Sequence, residues 1–411
     1  MGDDDLSSLS NSELLELWVR IEQEWPTVEH GGRKNRLARR GRRIIEVLQA
    51  RTDGTTRFLQ PLLAHPDAKL RLTAAARYKS VDHAAYRTVA TELAQRSDEV
   101  GHHARASLEW DARSAQYSTS GPTPEQLQRL AEAANLRVSR APPSGLSRAA
   151  LEQRLRAEFS AEIAARLLRL ARPAIGLWPQ RLAPDAPATA SRFGGLPCAP
   201  APWLWPTCEG EPLFFLAQIN CRELAQLPTA SRLPRDGMLA FFGDHDWVNG
   251  FPNFWPYAIV EYWSDISALR IAKTPIEDFE VMPSCALGFF ETTDMPHPLS
   301  DTIARLGLDE PALDRYWDVR KELVDAAHGV RNSRDPIDIS KMFGWPDLIQ
   351  RDLEILDGDE DGWSQLLQMG SYENGAESHS WGPGGNLYFM IRDADIAARR
   401  FALCEAEMQC T

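Results

Sequence analysis

The sequence lacks the features that mark several common classes of protein. Its 411 residues include six cysteines but no Cys-x-x-Cys pair, which argues against a disulfide scaffold and against a zinc knuckle. No run approaches the roughly 18 apolar residues that a membrane span requires. The opening residues, MGDDDLSSLSNSELLELW, are acidic and polar, unlike a secretory signal. We therefore expect a cytoplasmic protein with reduced thiols and no membrane partner.

Motifs that carry catalysis or bind cofactors are missing too. The sequence has no Gly-x-Ser-x-Gly elbow, no phosphate-binding loop and no dinucleotide glycine pattern. We therefore predict no catalytic residue, no metal and no cofactor. These absences favour a binding protein, although the sequence leaves an enzyme open.

Acidic charge is concentrated in the second half of the chain. Residues 1–180 contain 27 Lys and Arg against 22 Asp and Glu, whereas residues 181–411 contain 18 against 36, a net charge of −18. Such a body would repel phosphates, so nucleic acid is not expected as a ligand. The acidity suits a basic protein partner; alternatively, it simply keeps the protein soluble.

The first part of the chain is expected to be helical. Residues 12–112 show helical periodicity. Asp67 and Asp98 each stand where a helix would open, separated by the length of one helical pair, and alanines follow each at the same distance. This stretch resembles HEAT-like helical repeats, whose surfaces usually bind proteins. We expect a HEAT-like domain over residues 1–114.

A Ser-, Pro- and Gly-rich stretch, SAQYSTSGPTPEQ, predicts a break after this domain. We expect a linker and connecting helix over residues 115–146, and a further helix over about 147–171. From Phe193 onward the composition changes to Pro, Trp, Gly and short apolar runs, as in strands joined by rigid turns. The predicted fold is therefore α+β, with an α+β domain over 147–411 that is mainly antiparallel and has peripheral helices.

The predicted α+β domain aligns with itself. Three blocks recur in the same order at offsets of 150, 150 and 148: FGGLP with FGWP, LFFLAQ with WSQLLQ, and GMLAF with GNLYF. We interpret this as an internal duplication of about 193–260 and 343–400. Gln218 and Gln368 end the matching apolar strands. They either line a cleft between the halves or satisfy nearby backbone groups.

The same blocks carry a family resemblance over about residues 170–411. SRFGGLPCAPAPWLWPTCEGEPLFFLAQINCREL, LPRDGMLAFFGD, FGWPDLIQRDLE, WSQLLQMGSY and WGPGGNLYFMIRDADI resemble the YwqG-like family, a bacterial domain of unknown function. The resemblance implies antiparallel sheets in an α+β fold and, frequently, a setting beside polymorphic toxin or secretion-system genes. It supplies no catalytic residue. Pro383 stands where the family usually has an Asp, so no role of that Asp is carried over.

Two charged segments are candidate interaction sites. Asp357, Asp359 and Asp361 mimic the opening of a calcium loop, but the position for its bidentate Glu is occupied by Gln368, so a partner-facing acidic turn is favoured. The triplet Asp244, His245 and Asp246 could orient a general base or bind a metal. No second histidine lies at ligand spacing, which favours a charged surface loop.

The segment that follows is rich in aromatic residues. It contains five aromatics in eleven residues, of which Trp247, Phe251, Phe254 and Trp255 are our candidate interface anchors. The alternative is that they fill the core between a loop and the sheet.

Three functions follow from these observations. The leading hypothesis is an immunity protein that neutralises a cognate bacterial toxin by direct binding and occlusion, with a basic toxin domain as the partner. The second is a small-ligand-binding protein or enzyme that uses a cleft between the duplicated halves. The third is an adaptor in a larger complex.

Overall fold

The structure is a computed structural model with side chains. It describes residues 6–24, 32–52, 55–79, 81–98, 100–105, 107–108, 143–180, 182–183, 185–208, 211–243, 258–276, 279–328, 339–350, 352–356, 362–373, 378–379, 381 and 385–410. These residues belong to two compact units. The first comprises residues 1–120 with the short segments 207–212 and 275–278, and the second comprises the remainder.

The first unit is built mainly from helices. They are α1 (Asn11–Glu24), α2 (Gly32–Arg51), a 3₁₀ segment (Arg57–Ala64), α3 (Ala68–Tyr78) and α4 (His83–Leu93). Their apolar faces bury two clusters, one of which is centred on Trp18 and Ile44. The Asp67 carboxylate accepts the backbone N–H groups of Lys69 and Leu70, and so caps α3.

The second unit begins with two helices where one was expected. They are α5 (Arg148–Glu158) and α6 (Ala161–Arg169). The expected single helix over 147–171 is therefore wrong. Ser160 has extended backbone angles and its hydroxyl accepts the N–H of Ile163, so it ends one helix and caps the next. The linker expected over 115–146 lies almost wholly outside the described residues.

The other helices of the second unit are α7 (Cys221–Leu224), α8 (Asp301–Ala304), α9 (Glu310–His328) and α10 (Asp393–Ala397). Within the described part of the chain, none of the helices combines the length and the apolar character that crossing a bilayer requires.

The strands come in chain order from both units. They are β1 (Arg172–Gln180), β2 (Arg192–Phe193), β3 (Cys198–Ala199), β4 (Thr207–Cys208), β5 (Glu211–Pro212), β6 (Phe214–Asn220), β7 (Met238–Gly243), β8 (Ala258–Trp263), β9 (Arg270–Ile271), β10 (Cys285–Asp294), β11 (Ser340–Phe343), β12 (Trp363–Gly370), β13 (Tyr372–Glu373), β14 (Ser378–His379), β15 (Asn386–Arg392) and β16 (Glu405–Gln409).

Ten of these strands form one antiparallel sheet, in the order β16-β15-β12-β11-β1-β10-β2-β6-β7-β8. The sheet curls until it nearly closes, because its outer strands approach each other. The rings of Tyr262, on β8, and Phe401, just before β16, lie 5.3 Å apart. Phe241 and Phe389, from opposite ends of the strand order, meet edge to face at 5.2 Å in the shared core. The mixed fold with a mainly antiparallel sheet is thus confirmed.

A strand that the sequence did not reveal lies at the centre of this sheet. β1 pairs with β10 along Arg172–Gln180 and with β11 over Ala174–Leu177. Pro173 and Pro179 made this segment look like an extended connection, because proline cannot donate a ladder hydrogen bond. Both prolines lie outside the stretch that pairs on both sides. The strand therefore tolerates them.

Candidate functional site

Most of the residues expected to contact a partner lie outside the described part of the chain. These are the charged triplet Asp244, His245 and Asp246, the aromatic anchors Trp247, Phe251, Phe254 and Trp255, and the acidic turn residues Asp357, Asp359 and Asp361. They remain candidates on the strength of the sequence alone. The glutamines at 218 and 368 are described in full.

Gln218 is completely buried in β6 and uses both ends of its amide. Its Oε1 accepts the backbone N–H of Cys198 at 3.0 Å, and its Nε2 donates to the carbonyls of Ala188 and Ala190. Across the sheet it is paired with the buried Arg192. The side chain therefore holds the segment between 188 and 198 against the sheet.

Gln368 does the same work in β12. It is completely buried and paired across the sheet with the buried Lys341. Its Oε1 accepts the N–H of Asp347 at 2.9 Å, and its Nε2 donates to the Ile339 carbonyl and to Asp347 Oδ2. These bonds are what the backbone-satisfying interpretation expects. Neither glutamine lines the clefts described below.

Other details repeat around these two glutamines. The β6–β7 pairing shifts register between Phe215 and Ala217. The β12–β15 pairing shifts between Gln365 and Leu367, at the equivalent positions of the second set of sequence blocks. A serine hydroxyl also accepts a backbone N–H in both places, as Ser191 and Ser340 show.

The turns that precede the glutamine-bonded segments share a rare backbone conformation. Gly194 and Gly195 have φ values of 59° and 75°, and Phe343 and Gly344 have 61° and 72°. A phenylalanine in the left-handed region is strained, since its Cβ crowds the backbone. Burial of the ring and the Arg232 guanidinium 4.7 Å from its centroid hold Phe343 there.

Four charged side chains meet inside the second unit. They are Asp294 of β10, Arg320 of α9, Lys341 of β11 and Asp347, and we call them the four-ion cluster. Lys341 Nζ lies 2.6 Å from Asp294 Oδ2 and 2.8 Å from Asp347 Oδ2. Arg320 donates to Asp347 Oδ1. All four are almost completely buried.

Backbone groups complete the bonding of the four-ion cluster. Asp294 accepts the N–H groups of Met295 and Trp345, and Arg320 Nε donates to the Met295 carbonyl. Burying charges is costly unless each is paired and hydrogen-bonded, and here two positive and two negative charges balance. The cluster ties β10, β11 and α9 together.

The electrostatics of the four-ion cluster do not suit proton transfer near neutral pH. Burial by itself would raise the pKa of Asp347, but Lys341 and Arg320 outweigh it and hold that pKa well below its ordinary value. Burial also lowers the pKa of the neighbouring His297 to about 3, with Arg320 acting in the same direction. A general acid or base works best with a pKa near the working pH, so this arrangement is a scaffold rather than a catalytic centre.

A cleft opens beside the four-ion cluster. It encloses a volume of about 20 Å³ and widens to about 420 Å³ of empty space when its open mouth is included. Apolar and aromatic side chains, among them Trp345, Trp363 and Met390, supply most of its wall, and Gln365 and His297 contribute polar atoms. At the mouth, the Arg172 guanidinium lies 3.4 Å from the centroid of the Trp345 ring.

An exposed apolar face adjoins this cleft. Leu299 and Trp317 are 43% and 41% exposed, the largest values for big apolar side chains among the described residues after Leu204 at 65%. Both contact His297: the Trp317 ring centroid lies 5.2 Å from that of His297, and the Leu299 N–H donates to His297 Nδ1. We call Leu299 and Trp317 the apolar face.

The four-ion cluster went unnoticed in the sequence because its members are spread from 294 to 347. One signal was available. A basic residue stands in the middle of each matching block, as Arg192 in SRFGG and as Lys341 in SKMFGW. A lone cation in a short apolar strand requires a buried partner, which pattern matching on Phe and Gly overlooks.

The described residues contain no group of three or more His, Cys, Asp or Glu side chains arranged to hold a metal ion. No curated protein matches the chain. The family model for DUF1963, a domain of unknown function, matches residues 191–410. That match begins after β1, although β1 lies at the centre of the sheet. Because it spans more than half of the sequence, we conclude that the chain belongs to the DUF1963 family.

Proposed function

We propose that the protein is a protein-binding factor that neutralises a basic partner, in the simplest case a bacterial toxin, by direct binding and occlusion. The observation that carries this proposal is the apolar face of Leu299 and Trp317. Monomeric proteins expose few large apolar side chains side by side, and a tryptophan in such a place is a frequent anchor of interfaces.

Acidic side chains surround the apolar face. On α9, Asp314 lies one turn before Trp317 and Asp318 lies next to it, and Asp301 opens α8; all three are exposed. The one arginine between them, Arg315, donates to the backbone carbonyl of Glu158. An apolar anchor in an acidic rim suits a basic partner through steered association.

The proposal is tested by co-expression with the toxin encoded beside the gene. The intact protein should restore growth and form a complex that survives size-exclusion chromatography. Trp317→Ala and Leu299→Ser should weaken that complex at least tenfold, since anchors at interface centres contribute more than about 1.4 kcal/mol. Leu204→Ser is the matched control, because Leu204 is more exposed but lies elsewhere. Failure of the intact protein to restore growth would overturn the proposal.

We infer further that the second unit arose by duplication and that it is YwqG-like. Two glutamines with the same bonds, two register shifts at equivalent positions of the sequence blocks and two left-handed turns support this inference. Superposition of 191–263 on 340–409 in an experimental structure would test it.

We also propose that the helices of residues 1–114 are HEAT-like. Asp67 caps a helix, and Asp98, at the equivalent position of the next expected repeat, accepts the N–H of Gly101. An experimental structure with two stacked helical pairs would support this assignment, and one with a different helix order would reject it.

A further inference from the structure

The cleft beside the four-ion cluster contains a buried acceptor without a partner. Gln365, on β12, is 1% exposed, and its Oε1 accepts no hydrogen bond from any described residue. An unmet acceptor in the interior costs about 1–3 kcal/mol. Such an atom on the wall of a cleft points to a bound group that donates to it.

The orientation of this acceptor is fixed by the other end of the amide. Gln365 Nε2 donates to the backbone carbonyl of Phe343 at 3.0 Å. Turning the amide over would place Oε1 against that carbonyl, where two acceptors would repel each other. Oε1 therefore stays on the opposite side and is the acceptor that Gln365 offers.

His297, on the same cleft, offers a donor. Its Nδ1 accepts the N–H of Leu299 at 3.3 Å. Burial and Arg320 keep the pKa of the ring near 3, so the ring is neutral at physiological pH. A neutral imidazole that accepts at Nδ1 carries its proton at Nε2. That nitrogen is therefore a donor without charge.

The charges around the cleft balance and are already engaged. Arg172 stacks on Trp345, and Asp352 accepts the backbone N–H of Asp301 at 2.6 Å. The neighbouring four-ion cluster has no net charge. An ionic ligand would therefore lose its hydration without gaining a counter-ion, whereas a neutral ligand would not.

The dimensions limit the group that reaches the base. A volume of about 20 Å³ holds one water-sized group. The wider mouth has space for an apolar or aromatic body against Trp345 and Met390.

We propose that the cleft binds a small neutral carboxamide, whose N–H donates to Gln365 Oε1, whose carbonyl accepts from His297, and whose apolar body rests on Trp345. A carboxamide has the donor and the acceptor on one uncharged group, which is the combination that the cleft offers. This site is separate from the apolar face, and it requires no protein partner.

Titration of the full chain with benzamide, followed by NMR, tests the proposal. Benzamide should shift the indole N–H signals of Trp345 and Trp363. Benzoate, which is charged, and toluene, which has no donor, should bind at least tenfold more weakly. Gln365→Met should weaken benzamide about tenfold, the equivalent of one hydrogen bond, whereas Gln226→Met, at an exposed position, should change nothing.

Because Gln365→Met also removes the bond to Phe343, its fold is checked by circular dichroism and by thermal unfolding. Leu356→Trp, which fills the cleft without touching Gln365, provides a second variant and should abolish binding. Equal binding of toluene and benzamide, binding that survives both variants, or a crystal structure with only a water on Gln365 Oε1 would each overturn the proposal. Since no toxin takes part, a failure here leaves the proposed function standing, and the reverse holds.

Discussion

Gln218 and Gln368 occupy the same place relative to a buried cation. Each lies opposite a basic residue on the neighbouring strand, Arg192 or Lys341, and each accepts the N–H of the residue six positions after that cation. The second partner has changed between the two places. Asp347 stands where Cys198 stands, and its carboxylate belongs to the four-ion cluster.

Removal of either glutamine should destabilise the fold. Gln218→Leu strips the Cys198 N–H and two carbonyls of their partners, and buried unsatisfied groups cost about 1–3 kcal/mol each. We expect a loss of about 2–4 kcal/mol in the free energy of unfolding, measured by urea denaturation. Gln226→Leu, at an exposed position, should change it by less than about 0.5 kcal/mol. A Gln218→Leu variant as stable as the parent would contradict this role.

Breaking the four-ion cluster should cost more than breaking a surface pair. Lys341→Met leaves two buried carboxylates with Arg320 alone, and an uncompensated buried charge costs about 3–5 kcal/mol. Arg156→Met removes the exposed pair with Glu152 and should cost under about 1 kcal/mol. Thermal and urea unfolding of the two variants provide the comparison. Similar losses would show that the cluster is not the clamp we describe.

Stability should fall in mild acid because of His297. Its pKa is about 3 in the folded chain, below the ordinary 6.5, so the unfolded chain binds more protons between these values. The free energy of unfolding should therefore decrease as the pH falls from about 6.5 toward 3, by up to about 1.4 kcal/mol per pH unit. His297→Phe should flatten this part of the curve, and an unchanged slope would contradict the assignment.

Glu261 should act in the opposite direction. Burial raises its pKa to about 7, while Trp203 Nε1 donates to its Oε2 at 2.8 Å. The folded state therefore prefers the protonated acid, and its stability declines as the pH rises from about 4.5 to 7. Glu261→Gln should be close to neutral at pH 4 and stabilising by about 1–3 kcal/mol at pH 8. A variant with no gain at pH 8 would contradict this prediction.

The sequence by itself determined the elements with a strong local signal. Asp67 stands before an amphipathic run, and Asp67 does cap α3, because capping involves only neighbours in the chain. Trp363 and the apolar residues after it form a buried strand, as their run predicts. The antiparallel character of the sheet followed from short apolar runs between turn residues.

Tertiary structure decided what depends on distant partners. β1 contains two prolines and reads as a connection, yet pairing with β10 and β11 makes it the centre of the sheet. Asp294 and Lys341 are far apart in the chain and meet only when the sheet forms. The chain could announce its strands, because side-chain periodicity is local. It could not announce which buried charges would be paired, or which cleft would keep an unmet acceptor, since both depend on contacts between segments far apart in sequence.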